Sequence, residues 1–254
     1  MSAAENPYQT YEALGAGPSS SARLLFIPVR GTVQSAVEVL PDPADPDPRT
    51  PYYDHAAGTY HPVSALPISE PKVSSVTVRV SELEDWEENW LDMHEGHSEP
   101  DMPDAFPDAR WGRLSSGNDD DEEEEEDDDE NNDESPQLLH CCEMDRPRGK
   151  NAKLTITPSK AWDGGDGGFV TVHNYVSALH HWLVRLRGDL LGAMGTMDGV
   201  DGPLGDEMDL VVNCDGLDCL MMEPRTSWIG QRKGLPIRET IGGRIRTSEI
   251  VTSE

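Results

Sequence analysis

The chain has 254 residues, of which 35% are hydrophobic, with 20 prolines and 23 glycines. That composition excludes one core running the whole length and fits a modest domain with disordered segments. The formal net charge of −29 repels phosphate backbones and anionic lipid surfaces, so neither nucleic acid nor a membrane is expected as a partner.

Residues 1–21 are small and polar. They lack the basic and apolar regions of a secretory signal and are expected to be disordered. The longest apolar run, Leu24–Ile27, stops at Pro28, far short of the roughly 20 residues that span a bilayer. The expected location is therefore cytoplasmic or nuclear, with the four cysteines reduced.

RLLFIPV (23–29) and VQSAVEV (33–39) read as strands with Gly31 between them. The X-Pro steps of Leu40–Pro51 forbid helix and mark a loop, which continues to Pro71 with Tyr52, Tyr53 and Tyr60 as anchors. In Val73–Val80, Val76, Val78 and Val80 alternate with Thr77 and Arg79, the pattern of a half-buried strand. Ser81 and Glu84 have capping-box spacing. Leu83, Trp86 and Trp90 then predict a short acidic helix with one apolar stripe.

From His94 to Pro147 the apolar pattern fails. The run Asn118–Asp133 has no hydrophobic residue, and residues 119–134 hold 14 of the 49 acids. Like charges at successive positions repel, and no burial offsets the entropy of ordering them. Ser116, three residues before Asp119, suits an acid-directed kinase and is a candidate phosphorylation site.

Leu154 and Ile156 alternate with Thr155 and Thr157, which predicts another strand. After the turn WDGGDGG, the residues Val172, Tyr175, Val176, Leu179, Leu183, Leu186 and Leu190 fall on one stripe. A main helix is expected over about 172–194, with Thr171 as N-cap, Asn174 at N3, and Gly188 and Gly192 weakening its last turns. Met208–Asn213 and Cys219–Met222 read as a hairpin around Asp215-Gly216, with Cys214 and Cys219 placed so that a disulfide is permitted but not required. The tail from Pro224 is basic and reads as irregular.

The stretch Leu154–Leu186, with Val170, Thr171, Val172 and Asn174 opening its helix, resembles an uncharacterised small domain of filamentous-fungal proteins, and SEPKVSSVTVRV resembles the strand that precedes it. The resemblance covers about a quarter of the chain. It implies a small α+β domain and no catalytic residue. The long acidic insertion departs from the compact form of that domain.

Motifs for chemistry are weak. His140, Cys141, Cys142, Cys214 and Cys219 supply soft-metal donors, but adjacent cysteines and an x4 gap do not match paired C-x2–4-C knuckles. HEGH (His94–His97) has i, i+3 histidines where the zincin helix needs i, i+4. His173, His180 and His181 share the main helix and read as surface or boundary histidines. WDGGDGGF and MDGVDG fail the calcium-loop pattern at position 3 (Gly165, Val200). G-x-S-x-G and the phosphate-loop motif are absent.

The expected fold class is α+β: a small mixed or antiparallel sheet packed on one main helix, with a long disordered acidic insertion. The expected organisation is a disordered 1–21, a first half of the domain at 22–93, the insertion at 94–149, a second half at 150–223 and a basic tail at 224–254. The expected function is a non-catalytic interaction or structural protein, with no cofactor, no metal residue and an unidentified protein partner. Two alternatives stand beside it. In one the acidic run docks basic proteins such as histones; in the other an enzyme site is assembled from scattered residues. The basic clusters Arg146–Lys153 and Arg232, Lys233, Arg238, Arg244 and Arg246 are expected to neutralise the acidic run within the same molecule.

Overall fold

In the strand Val76–Val80 the three valines are fully buried while Arg79 is exposed, as the alternation requires. In this computed structural model the strand lies inside a four-stranded sheet. The order is Leu154–Ile156, Val76–Val80, Cys219–Pro224, Leu210–Asn213. Leu154–Ile156 runs antiparallel to the valine strand, with Leu154 opposite Val78. Cys219–Pro224 joins the other edge in parallel, with Leu220 opposite Val80. It then forms the expected hairpin with Leu210–Asn213, Val212 opposite Met222. Residues from both sides of the acidic run therefore share one mixed sheet, and the fold is α+β.

The structure describes residues 6–97, 107–112, 136–147, 152–159, 168–199, 202–235, 237–241 and 244–248, the last two as backbone. Ser116 and the run Asn118–Asp133 lie outside the described residues. So do most of WDGGDGG and Val200 of the second glycine-rich loop. The chain divides into a larger unit, 1–86 with 149–254, and a smaller one, 87–148.

In the larger unit the helix Val172–Arg185 packs against Leu154–Ile156. Its capping box is formed. Thr171 Oγ1 accepts from the Asn174 amide at 3.2 Å, and Asn174 Oδ1 accepts from the Thr171 amide at 3.0 Å. Val172, Tyr175, Val176, Leu179 and Leu183 are the buried stripe. The single helix expected over 172–194 is two: the ladder tightens at Leu186, and a second helix runs Arg187–Met197. The Arg187 guanidinium donates to the carbonyls of Val29, Asp206 and Met208, which draws that start toward two loops. Gly192 sits where a Cβ would meet the Trp86 ring at 2.6 Å, and a Cβ on Gly195 would overlap the Gly202 carbonyl oxygen. These glycines allow close approach, beyond lowering helix propensity.

Other expectations change locally. Val33–Ala36 is a helical turn, because Thr32 and Ser35 cap one another; only Glu38–Val39 is strand. Of 23–29 only Leu25–Phe26 is strand. Arg23 and Leu24 belong to a 3-10 turn, and beyond Phe26 the chain continues irregularly, its ladder interrupted by Pro28, with the Val29 amide on Leu210 O and the Val212 amide on Ile27 O. The capping box at Ser81 does not form: Ser81 Oγ donates to the Leu220 carbonyl and Glu84 pairs with Arg79. The basic tail is not wholly irregular. It carries the helix Arg225–Arg232, whose Trp228 is buried with Phe26, Leu40 and Val211, and a hairpin of Ile237–Ile241 with Arg244–Ser248. All four cysteines are free thiols.

The smaller unit takes most of the helix Trp86–Met93, the turn Glu95–His97 and a three-stranded antiparallel sheet ordered Met144–Asp145, Gln137–Cys141, Arg110–Gly112. Order thus appears at both described ends of the span 94–149. A small core explains it: Trp90, Leu138 and Cys141 are buried, with Leu91, Met93, Ala109, Trp111 and Cys142 around them.

Candidate metal centre

His94 and His97 close the helix Trp86–Met93. The His97 amide donates to the His94 carbonyl at 2.9 Å, a 3-10 turn, and in such a turn residues three apart eclipse one another. The i, i+3 spacing that fails a zincin helix therefore puts both imidazoles on one side. His94 is 1% exposed. Its Nδ1 lies 2.7 Å from the Trp90 carbonyl, and a carbonyl only accepts, so Nδ1 carries the proton and Nε2 keeps a free lone pair. The Trp90 ring, 4.2 Å away centroid to centroid, holds the imidazole in place.

The other two donors arrive on the strand Gln137–Cys141. A register shift between Leu138 and His140 changes the parity of the strand, so Leu138 and Cys141 both face inward although three residues apart. His140 falls on the opposite face and pairs with Asp145, Nδ1 to Oδ1 2.6 Å. Cys141 and Met144 then pair across a two-residue turn made by Cys142 and Glu143. Both turn residues have positive φ, 51° and 63°, the pattern of a hairpin turn that normally takes Asn or Gly. Non-glycine residues persist there when their surroundings fix them.

The result is a cluster of two nitrogens and two sulfurs. The ligand atoms of His94, His97, Cys141 and Cys142 all lie within 4.8 Å of one another. His97 Nδ1 is 3.4 Å from each sulfur, and the two sulfurs are 3.8 Å apart. A tetrahedral zinc, with Zn–S about 2.3 Å and Zn–N about 2.0–2.1 Å, sets S···S at about 3.8 Å and S···N at about 3.5 Å. His97, Cys141 and Cys142 stand at the spacing such an ion would impose, and the His94 donor lies within 4.8 Å of each of them. Burial pushes the Cys141 thiol up to about 11, so an ion entering here displaces a proton that water alone would not remove at neutral pH.

No family model, curated protein or solved structure matches this chain.

In the larger unit the three histidines of the helix Val172–Arg185 have separate surroundings. His180 is buried with Nε2 3.2 Å from the Arg30 carbonyl, and burial lowers its pKa. His181 is exposed. His173 packs against the Tyr60 ring, with Tyr52 beyond it, and has Nε2 3.3 Å from Ser177 Oγ, beside a cleft of about 410 Å³. Ser177 sits inside a helix whose amides are spent on their own ladder, so that helix offers no oxyanion donors to the pair. Cys214 is buried with its thiol pushed up to about 12, and Cys219 Sγ contacts Ser81 Oγ at 3.2 Å. Neither lies in the unit that holds Cys141 and Cys142.

The sequence offered both halves of the cluster but not their union. His94–His97 matches no catalytic motif, and Cys141-Cys142 matches no knuckle. The usable signal was two donor pairs flanking one acidic insertion.

Proposed function

We propose that this chain is a non-catalytic interaction or structural protein whose smaller unit is organised by one soft divalent ion, zinc by its donor set. The observation that carries the reading is the S···N and S···S spacing of 3.4, 3.4 and 3.8 Å among His97, Cys141 and Cys142. Two thiolates and two imidazoles select zinc over the hard cations. Four protein donors fill a tetrahedron and leave no position for substrate or water, the arrangement of structural rather than catalytic zinc. The Trp90 carbonyl on His94 Nδ1 orients the ligand from behind, as outer-shell partners of zinc-bound histidines do. Among the described residues this core has three buried apolar side chains, a size at which small units commonly depend on a metal.

Elemental analysis of the full-length protein should find about one zinc per chain, and Co2+ substitution should give the visible bands of tetrahedral thiolate coordination. Cys141→Ser or His94→Ala should lower zinc affinity at least about tenfold. Full-length protein that takes up neither ion at neutral pH refutes the reading.

A further inference from the structure

We propose that Cys141 and Cys142 are a site of reversible oxidative modification: a peroxide joins them as a vicinal disulfide, and the bound ion is expelled. This rests on the metal-centre reading above. The pair is built for it in three respects. The sulfurs stand 3.8 Å apart, near contact and well placed for one to attack the other. Their access differs, since Cys141 is buried and Cys142 half-exposed, so a small oxidant meets Cys142 first. Cys142 also occupies a tight turn at positive φ, next to the exposed Glu143, where local backbone movement can bring the sulfurs together.

The chemistry balances in two steps. The Cys142 thiolate attacks hydrogen peroxide; its sulfur is oxidised to sulfenic acid, the O–O bond breaks, and one water leaves after taking up a proton. The Cys141 thiolate then attacks the Cys142 sulfur, the S–O bond breaks, and a second water leaves with a second proton. Both electrons have passed to the peroxide. A disulfide sulfur is no longer a thiolate ligand, so His94 and His97 alone remain and the ion is released.

Adjacency also makes the change reversible. Disulfides favour Cα atoms about 4.4–6.8 Å apart, whereas neighbours across a trans peptide are held at about 3.8 Å. A bond formed outside its preferred geometry is easily reduced, which is the property of regulatory rather than structural disulfides.

The test uses full-length, zinc-loaded protein titrated with hydrogen peroxide. Released zinc is read with a chromogenic chelator, and the protein by intact mass and peptide mapping. About one zinc should leave per peroxide consumed, with a mass loss of about 2 Da mapped to Cys141–Cys142. Dithiothreitol with zinc should restore both. Cys142→Ser should abolish the 2 Da loss. Zinc retained through the titration overturns the proposal; so does a mass gain of oxygen with no loss, or a disulfide that maps to Cys214 or Cys219. Protein that never holds zinc refutes the metal reading instead, and the 2 Da loss then decides the pairing by itself.

Discussion

Stripping the ion should unfold the smaller unit and leave the larger one standing. Among the described residues, Trp90, Leu138 and Cys141 are the buried apolar side chains there. At about 1.5–3 kcal/mol each they contribute at most roughly 9 kcal/mol before any ordering entropy is charged against them. Structural zinc contributes about 10–16 kcal/mol in small zinc-binding peptides, so the metal outweighs the apolar core. The assay is hydrogen exchange by mass spectrometry on full-length protein, with and without a zinc chelator. Amides of Gln137–Cys141 should lose at least about a thousandfold of protection, which at about 1.4 kcal/mol per tenfold is roughly 4 kcal/mol. Amides of Val76–Val80 and Leu210–Asn213, in the larger unit, should keep theirs. If elemental analysis shows the zinc gone and Gln137–Cys141 exchange as slowly as before, the ion is not what orders this sheet.

Two further outcomes concern the larger unit. Glu82 is 3% exposed, with Oε1 accepting from the Met222 amide at 2.6 Å and Oε2 buried without a partner. Burial raises its pKa above the usual 4.5. The folded state therefore holds the proton more tightly, and this contribution is present below about 4.5 and lost as pH rises through the folded value. Glu82→Gln should accordingly gain in melting temperature relative to the parent as pH goes from 4 to 7; a difference that stays flat across that range refutes the assignment. Thr171→Ala removes the cap of Val172–Arg185 and should cost about 0.5–2 kcal/mol in denaturant unfolding, with an unchanged slope. No loss would show that Asn174 caps the helix without it.

The parts of the fold legible in the sequence are those set by neighbours along the chain. Val76–Val80 declares itself by alternation, Thr171 and Asn174 by spacing, and the hairpin of Leu210–Asn213 with Cys219–Pro224 by its central Asp215-Gly216. Most of the failures share a physical reason: a partner distant in sequence decided them. Trp228 anchors the tail helix only because Phe26, Leu40 and Val211 enclose it. The helix break at Leu186 goes with an Arg187 that serves carbonyls at 29, 206 and 208. Val33–Ala36 is the exception, a local hydroxyl cap that competed with a strand pattern and won.

The candidate site was hidden for the same reason, sharpened by chemistry. Two donors sit at 94 and 97 and two at 141 and 142, so neither pair has a standard spacing and the acidic run separates them. The 3-10 turn makes i, i+3 histidines converge, and the strand's register shift sends Cys141 inward while His140 turns away to Asp145. Local geometry that no periodicity encodes thus converts two weak motifs into one cluster of four donors. The two donor pairs, His94 with His97 and Cys141 with Cys142, would be tied through one ion, and oxidising the two sulfurs would release that tie.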